Sequence, residues 1–236
     1  MRVWQSLSYR LVRGLVRLAM RLLTRTRIEG LEHLPRRGAG VVVCNHIHAI
    51  DPAFLVGGLP RRITMIAKEE SRRGPLRIFW PMAGVITIRR GAGDRQAIEQ
   101  AEHALAQGLL VGLFPEGTRS RDGRLQRGQG GAALLAAQAG VPIIPAAITG
   151  TRGVFHHGFP WVTLPRARVT LRLGPPFYVA VVPGESRHAA RRRQADEIMR
   201  QIAALLPPEM RGPYGEPAGG LAWPPDVAAR ETRTVT

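Results

Sequence analysis

The 236-residue chain is short of several things that declare a class outright. It has one cysteine, Cys44, which excludes an intrachain disulfide framework and is compatible with a reducing compartment. No stretch holds the 18 or so uninterrupted apolar residues of a membrane span. The N-terminus has no small-residue cleavage site after a short apolar run, which argues against a cleaved signal peptide. Aromatic residues are only 6%, too few for the interleaved aromatics of a nucleic-acid reader. There is one lysine, Lys68, no internal repeat and no sign of a second domain.

What is present is an ordinary apolar content, 44%, in a length that supports one sizeable core. Positive charge is in excess: Lys+Arg is 34 against 17 for Asp+Glu, a net of +17. Such a surface attracts nucleic acid, anionic lipid or a charged substrate. Arginine-favouring codon usage accounts for the same excess, so charge alone does not choose among them.

Residues 2 to 23 have helical periodicity. Arg10, Arg13, Arg17 and Arg21 form one stripe, and Trp4, Leu7, Leu11, Leu15, Leu18 and Leu22 another. A basic amphipathic helix suits a membrane interface, where the arginines reach lipid phosphates. It also suits a surface helix packed on the domain through its leucines. Beyond it, apolar runs alternate with helical segments. Strands are expected at "GVVVCNH", "RITMIAK", "GVITIRR", "LLVGLFPEG", "VPIIPAAITG" and "RVTLRLG". Helices are expected from Asp51 to about Leu59, over 94 to 107 with Ile98, Ala101 and Leu105 inward and Gly108 as the stop, over "GGAALLAAQAG", and over 186 to 206, and a helix or loop around 71 to 82. The alternation predicts an α/β fold with a largely parallel central sheet flanked by helices. The division expected is an amphipathic helix at 1–26, one domain over 27–211, and a Pro/Gly/Ala-rich flexible tail at 212–236.

In open α/β sheets ligands gather beyond the carboxyl ends of the strands. Those ends carry Asn45-His46, then Lys68, then Arg89-Arg90, then Pro115 to Arg119, an imidazole among cations. His46 and Asp51 stand five apart. On one helix they would be offset by about 140° and could not meet, but Asp51-Pro52 marks a turn into a helix, with Asp a favoured N-cap. Two accounts remain open on local grounds: a capping acid beside an ordinary strand-end histidine, or a base with its orienting carboxylate. "FPEGTRS" reads alone as a solvated turn or as a glycine-eased approach to a phosphate held by arginine.

Taken together, Asn-His-x4-Asp, "GVITIRR", "FPEGTRS" and "VPIIPAAITG", in that order from about residue 28 to 207, resemble the glycerolipid (lysophospholipid) acyltransferase family, the 1-acylglycerol-3-phosphate O-acyltransferases in particular. The resemblance implies that His46 is the general base and that Asp51 orients it, taking a proton from an acceptor hydroxyl that attacks an acyl thioester. It assigns Glu116, Gly117, Thr118 and Arg119 to acceptor binding, with Arg119 on the phosphate and Arg90 and Lys68 adding charge. Pro142 and Pro145 would shape the wall of the site. No cofactor is implied; acyl-CoA or acyl-carrier protein is the co-substrate. The partners implied are a lysophospholipid acceptor and an anionic membrane surface, with no specific nucleic acid, and the place is peripheral, on the cytoplasmic face of the cell membrane. His48 and Arg89 depart from the family pattern. Cys44 is expected to be a small buried residue and His103 structural, and adjacent His156 and His157 lack nearby partners, so no metal site is expected. Rivals are transfer to another lysolipid or a polar amine, and a non-catalytic basic module that binds membrane or nucleic acid.

Overall fold

A computed structural model describes residues 3–69, 83–88, 95–158, 166–180 and 182–215. Its centre is a strand read directly from the sequence. β2 (Gly40–Cys44) is buried along its whole length, as an unbroken apolar run in a covered parallel sheet must be. Parallel to it on one side lies β5 (Leu110–Leu113) and on the other β6 (Ile143–Thr149). Adding β3 (Ile63–Lys68), β4 (Ile86–Ile88), β7 (Ala167–Leu173) and β1 (Thr24–Glu29) gives seven strands in the order β1-β7-β6-β2-β5-β3-β4. Among the described strands only β6 and β7 pair antiparallel.

Alternation along β2 divides the core. Val41 and Val43 face one hydrophobic layer, Val42 and Cys44 the other. The first layer is covered by α3 (Arg95–Ala106), α4 (Gly131–Ala139) and α5 (Arg187–Ala204). The second is covered by α1 (Val3–Leu23) and α2 (Asp51–Gly58). Gly108 and Gly140 take positive φ, 72° and 63°, and stop the chain after α3 and α4.

Several expectations need correction. The segment 24–26 is not the end of a helical appendage but the start of β1, whose Thr24 to Glu29 pair with Ala167 to Arg172 of β7. Its TRTRIE sequence is only partly buried, and the apolar signal of a strand is weak there. Ile98 is exposed on α3; Ala97, Ala101, Ala104 and Leu105 form the inward face. The loop after β6 contains a 3-10 run, Thr151–Gly158. Described structure continues through the short turn Gly212–Tyr214, where the Tyr214 hydroxyl donates to Asp196 at 2.9 Å. The expected helix or loop around 71 to 82, Arg89 and Arg90, and the tail from 216 onwards lie outside the described residues.

α1 gives the sharpest difference. It packs through Tyr9, Val12, Val16 and Met20, not through its leucines. Arg13 and Arg17 also reach the end of α2, donating to the carbonyls of Leu59 at 2.5 Å and Gly57 at 2.7 Å. These are carbonyls at the end of α2 that have no partner within that helix. Leu7, Leu11, Leu15, Leu18 and Leu22 are left 50–63% exposed. No described helix is long and apolar enough to cross a membrane.

Candidate active site

The order β6-β2-β5 places three strand ends side by side, and the site is built from the residues just beyond them. After Cys44, β2 stops but its pairing does not. The buried Asn45 amide donates to the Ile148 carbonyl at 2.9 Å and accepts from the Ile148 N–H at 2.7 Å. The side chain imitates one more rung of the ladder, so the main chain can leave the sheet at His46 without orphaning β6.

His46 is then gripped from the β5 side. Its N–H donates to Glu116 Oε1 at 2.8 Å, and its carbonyl accepts from the Ser120 N–H at 2.7 Å. Its ring stacks on Phe114, with centroids 4.0 Å apart and planes at 17°. Nδ1 lies 2.9 Å from Asp51 Oδ2. An acceptor-only carboxylate there requires the proton on Nδ1, which leaves Nε2 as the basic nitrogen. The side chain is 16% exposed.

Asp51 is fully buried and receives four donors. Besides His46, Oδ2 accepts from the N–H groups of Ile47 and His48, each at 2.7 Å, and Oδ1 accepts from the Thr151 hydroxyl at 2.6 Å. The capping account is therefore wrong in its particulars. The N-cap of α2 is Ile50, without a side-chain bond, and Asp51 opens the helix. Its carboxylate reaches backwards and closes the loop 46–51 into a ring around itself.

Glu116 is buried and turned onto backbone. Its two oxygens take the N–H groups of His46 and of Gln126, the latter at 3.0 Å, which ties the end of β2 to the long loop after β5. Burial pushes its carboxyl from 4.5 up to about 7, with Asp51 and Asp122 adding to the rise and the two N–H donors opposing it. The folded protein therefore holds a proton between pH 4.5 and about 7 that the unfolded chain has released, so raising pH through that window lowers stability, by up to about 3 kcal/mol. Thermal melts across this range are expected to show the wild-type melting temperature falling relative to Glu116→Gln as pH rises. Parallel curves would place the titration elsewhere.

Gly117 also has a structural task. Its N–H closes a turn on the Phe114 carbonyl at 3.0 Å, its φ is 67°, and a Cβ there would meet the Gln129 side chain at 2.6 Å. Thr118 and Arg119 stand on the rim. Arg152, which the sequence did not single out, joins that rim by donating to the Ser120 carbonyl at 2.8 Å. Burial lowers the His48 pKa; Asp51 opposes this, while Arg119, Arg152 and His46 add to the lowering.

Lys68 ends β3 on the same rim, with β5 between it and β2. Pro142 lies before β6, at the opposite edge, where its carbonyl accepts from the Val41 N–H; Pro145 pairs with Val43 inside the sheet. Neither walls the site. Cys44 is buried in the second core layer, and burial pushes its thiol well up, so it is not a nucleophile. His103 is exposed and bonded to Gln107 on α3. Among the described residues no three His, Cys, Asp or Glu side chains cluster at metal-ligand spacing.

Sequence reasoning misses Thr151, Phe114 and Arg152 as partners of the site, and the pairing role of Asn45. Phe114 has a signal, lying inside "FPEGTRS". Thr151 has none, because only the adjacency of β6 and β2 brings it to Asp51.

A buried carboxylate bonded to an imidazole at the carboxyl ends of parallel strands is an arrangement that can act as a general base on a hydroxyl. The chain belongs to the acyltransferase family, whose model matches residues 25–149. It is 35% identical over 156 residues to the 1-acyl-sn-glycerol-3-phosphate acyltransferase alpha of Mus musculus, covering 64% of this chain and 54% of that one. To the 1-acyl-sn-glycerol-3-phosphate acyltransferase of Borreliella burgdorferi it is 28% identical over 153 residues, covering 63% and 61%. The chain thus spans about half the length of the mammalian relative. The crystal structure of the 1-acyl-sn-glycerophosphate acyltransferase of Thermotoga maritima shares the fold, with a TM-score of 0.61 and 24% identity over 86% of this chain and 82% of that one.

Proposed function

We propose that the protein transfers a fatty acyl group from an acyl thioester, acyl-CoA or acyl-carrier protein, to the free hydroxyl of 1-acylglycerol-3-phosphate. The product would be phosphatidate. The observation that carries this is the His46–Asp51 pair, locked by buried donors, with the His46 side chain partly exposed. Nε2 takes the proton of the acceptor hydroxyl as its oxygen attacks the thioester carbonyl. The tetrahedral adduct collapses, the thiolate leaves, and Nε2 returns the proton to it. Asp51 keeps Nδ1 protonated and balances the transient imidazolium. No acyl-enzyme is required, and Cys44 is too deep to form one.

Arg119 is the group for the acceptor phosphate, by its place after the Gly117 turn and its guanidinium fork; Arg152 beside it adds charge. Glu116 acts through backbone and not on the acceptor. The test is acyl transfer from oleoyl-CoA to lysophosphatidate, with lysophosphatidylcholine, lysophosphatidylethanolamine and polar amines in parallel. Preference for lysophosphatidate is expected. Preference for an acceptor without a terminal phosphate would overturn the assignment of Arg119.

The second part of the proposal is a peripheral membrane place, at an anionic surface on the cytoplasmic face. The outward leucines of α1 support it, since five large apolar side chains in one exposed stripe form a patch that water disfavours. Arg13 and Arg17 are tied to carbonyls of α2 and its C-cap, and Arg10, Arg17 and Arg21 are exposed. Deleting residues 1–26 is a poor test, because it removes core side chains and half of β1. Leu11→Glu with Leu15→Glu leaves the packed face intact. The double variant is expected to stop co-sedimenting with phosphatidylglycerol vesicles, and unchanged binding would remove α1 from the membrane surface.

A further inference from the structure

The turn that follows β6 reaches two parts of the site at once. Thr149 still pairs with Thr170 of β7, and the chain then bends at Gly150, whose φ is 79°. A Cβ at Gly150 would run into the Arg168 carbonyl, so the bend is pressed onto β7. The Gly153 N–H closes it on the Gly150 carbonyl at 3.1 Å, and Val154 is buried in the second core layer. Thr151 and Arg152 therefore sit on a fixed backbone, and they differ in burial: Thr151 has no exposure and Arg152 is exposed. The Thr151 hydroxyl donates to Asp51 Oδ1 at 2.6 Å. The Arg152 guanidinium donates to the Ser120 carbonyl at 2.8 Å, and Ser120 gives its N–H to the His46 carbonyl at 2.7 Å. The bonds close a circuit from His46 through Asp51, Thr151, Arg152 and Ser120 back to His46.

The donors on Asp51 are unevenly shared. Among the described residues, Oδ2 takes three, from His46, Ile47 and His48, and Oδ1 takes one, from Thr151. Without that hydroxyl a fully buried carboxylate oxygen loses its donor, and an unpaired buried charge is costly. The nearest replacements are the donors on Oδ2. Rotation of the carboxylate about its Cβ–Cγ bond spreads them over both oxygens. The Ile47 and His48 N–H groups are fixed in the main chain of the loop, so the bond that gives way is the one to the side chain of His46. Thr151 thus sets the plane in which Oδ2 meets Nδ1.

We propose that Thr151 is a positioning residue for the base: its hydroxyl, aimed by the bend at Gly150, holds the Asp51 carboxylate so that His46 keeps its proton on Nδ1 and presents Nε2. This rests on the acyl-transfer reading and adds a third member to its pair. The hydroxyl acts only through Asp51, so it bears on the chemical step and not on substrate binding. Valine keeps the branched shape and removes the donor; serine keeps the donor and removes a methyl group.

The test compares wild type, Thr151→Val, Thr151→Ser and Arg152→Gln as full chains, below their melting transitions, with two readouts. One is the kinetics of transfer from oleoyl-CoA to lysophosphatidate. The other is the 15N chemical shifts of the His46 ring at alkaline pH, assigned against His46→Ala, which report the nitrogen that carries the proton. Thr151→Val is expected to lower kcat about tenfold or more, with the KM of both substrates within about twofold. Its His46 signals are expected to change from the Nδ1–H tautomer to a mixture. Thr151→Ser is expected to keep the wild-type tautomer and a kcat within about threefold of wild type. Arg152→Gln disturbs the same turn without touching Asp51; it is expected to raise the KM for lysophosphatidate and to keep the wild-type nitrogen shifts. Wild-type kcat and shifts in Thr151→Val would overturn the proposal. So would equal losses in the Val and Ser variants, or a tautomer change in Arg152→Gln that matches the one in Thr151→Val. If Thr151→Val does not fold, Thr151→Ala set against Thr151→Ser makes the same comparison. A wild type that transfers to no lysolipid would remove the reaction assigned to the site, and the nitrogen shifts would still decide the role of Thr151.

Discussion

His46→Ala is expected to lower acyl transfer to lysophosphatidate by ~10²–10⁴ while leaving a folded protein. The size comes from the role. A general base lost from a positioned site costs about 3–5 kcal/mol of barrier, because the acceptor hydroxyl must then lose its proton to water. The fold should tolerate the change because the main-chain bonds of His46, its N–H to Glu116 and its carbonyl to Ser120, do not depend on the ring. What is lost structurally is a partly exposed ring against Phe114 and one donor to Asp51, which keeps three others. Melting within a few degrees of wild type is the control. Full activity in that folded variant would end the mechanism, whatever the family.

Asp51→Ala is expected to do more damage of a different kind. Four donors converge on a carboxylate with no solvent exposure, and removal leaves the N–H groups of Ile47 and His48 and the Thr151 hydroxyl without their acceptor. Breaking such a buried charged network costs about 3–5 kcal/mol, a large part of a domain's total stability. The carboxylate is what gathers the loop 46–51, so loss of transfer and loss of melting temperature should come together. Asp51→Asn separates the two. Its oxygen can serve the Ile47, His48 and His46 donors while its amide turns to Thr151, whose hydroxyl can accept instead of donate. The fold is then kept, but the imidazolium faces a neutral partner, and each 1.4 kcal/mol or so of lost stabilisation lowers the rate about tenfold. An Asp51→Asn protein that melts like wild type and transfers like wild type would reduce Asp51 to a loop clamp.

These two expectations rest on a pair that can be found in the sequence but not weighed there. His46 and Asp51 are visible by spacing and by Asp51-Pro52, yet the same residues serve equally well as a strand end and a cap. The donors decide between them, and Thr151 comes from a region where local spacing is silent, 100 residues on from Asp51. Glu116 shows the reverse. A carboxylate inside "FPEGTRS" looks like an acceptor contact because the motif is presented at a ligand-binding edge, and the structure turns it inward onto two N–H groups. β1 escapes a reading of the sequence because its polar alternation lies directly against a long helix and is satisfied as a strand only by β7, more than 130 residues away.

What the sequence alone determined were features set by neighbours along the chain: the β2, β3, β5 and β6 runs, helix stops at Gly108 and Gly140, an α/β alternation, and a His–Asp pair at the end of a buried strand. Each depends on periodicity, backbone preference or a turn within a few residues. What only the tertiary structure decided was direction. On α1 the periodicity defined an apolar stripe and a basic stripe without saying which one the domain would take. The answer came from α2, whose terminal carbonyls needed donors and received Arg13 and Arg17, while Tyr9, Val12, Val16 and Met20 filled the layer beneath. The leucines were left facing water because burial is settled by the partner surface and not by the hydrophobicity of the helix that meets it.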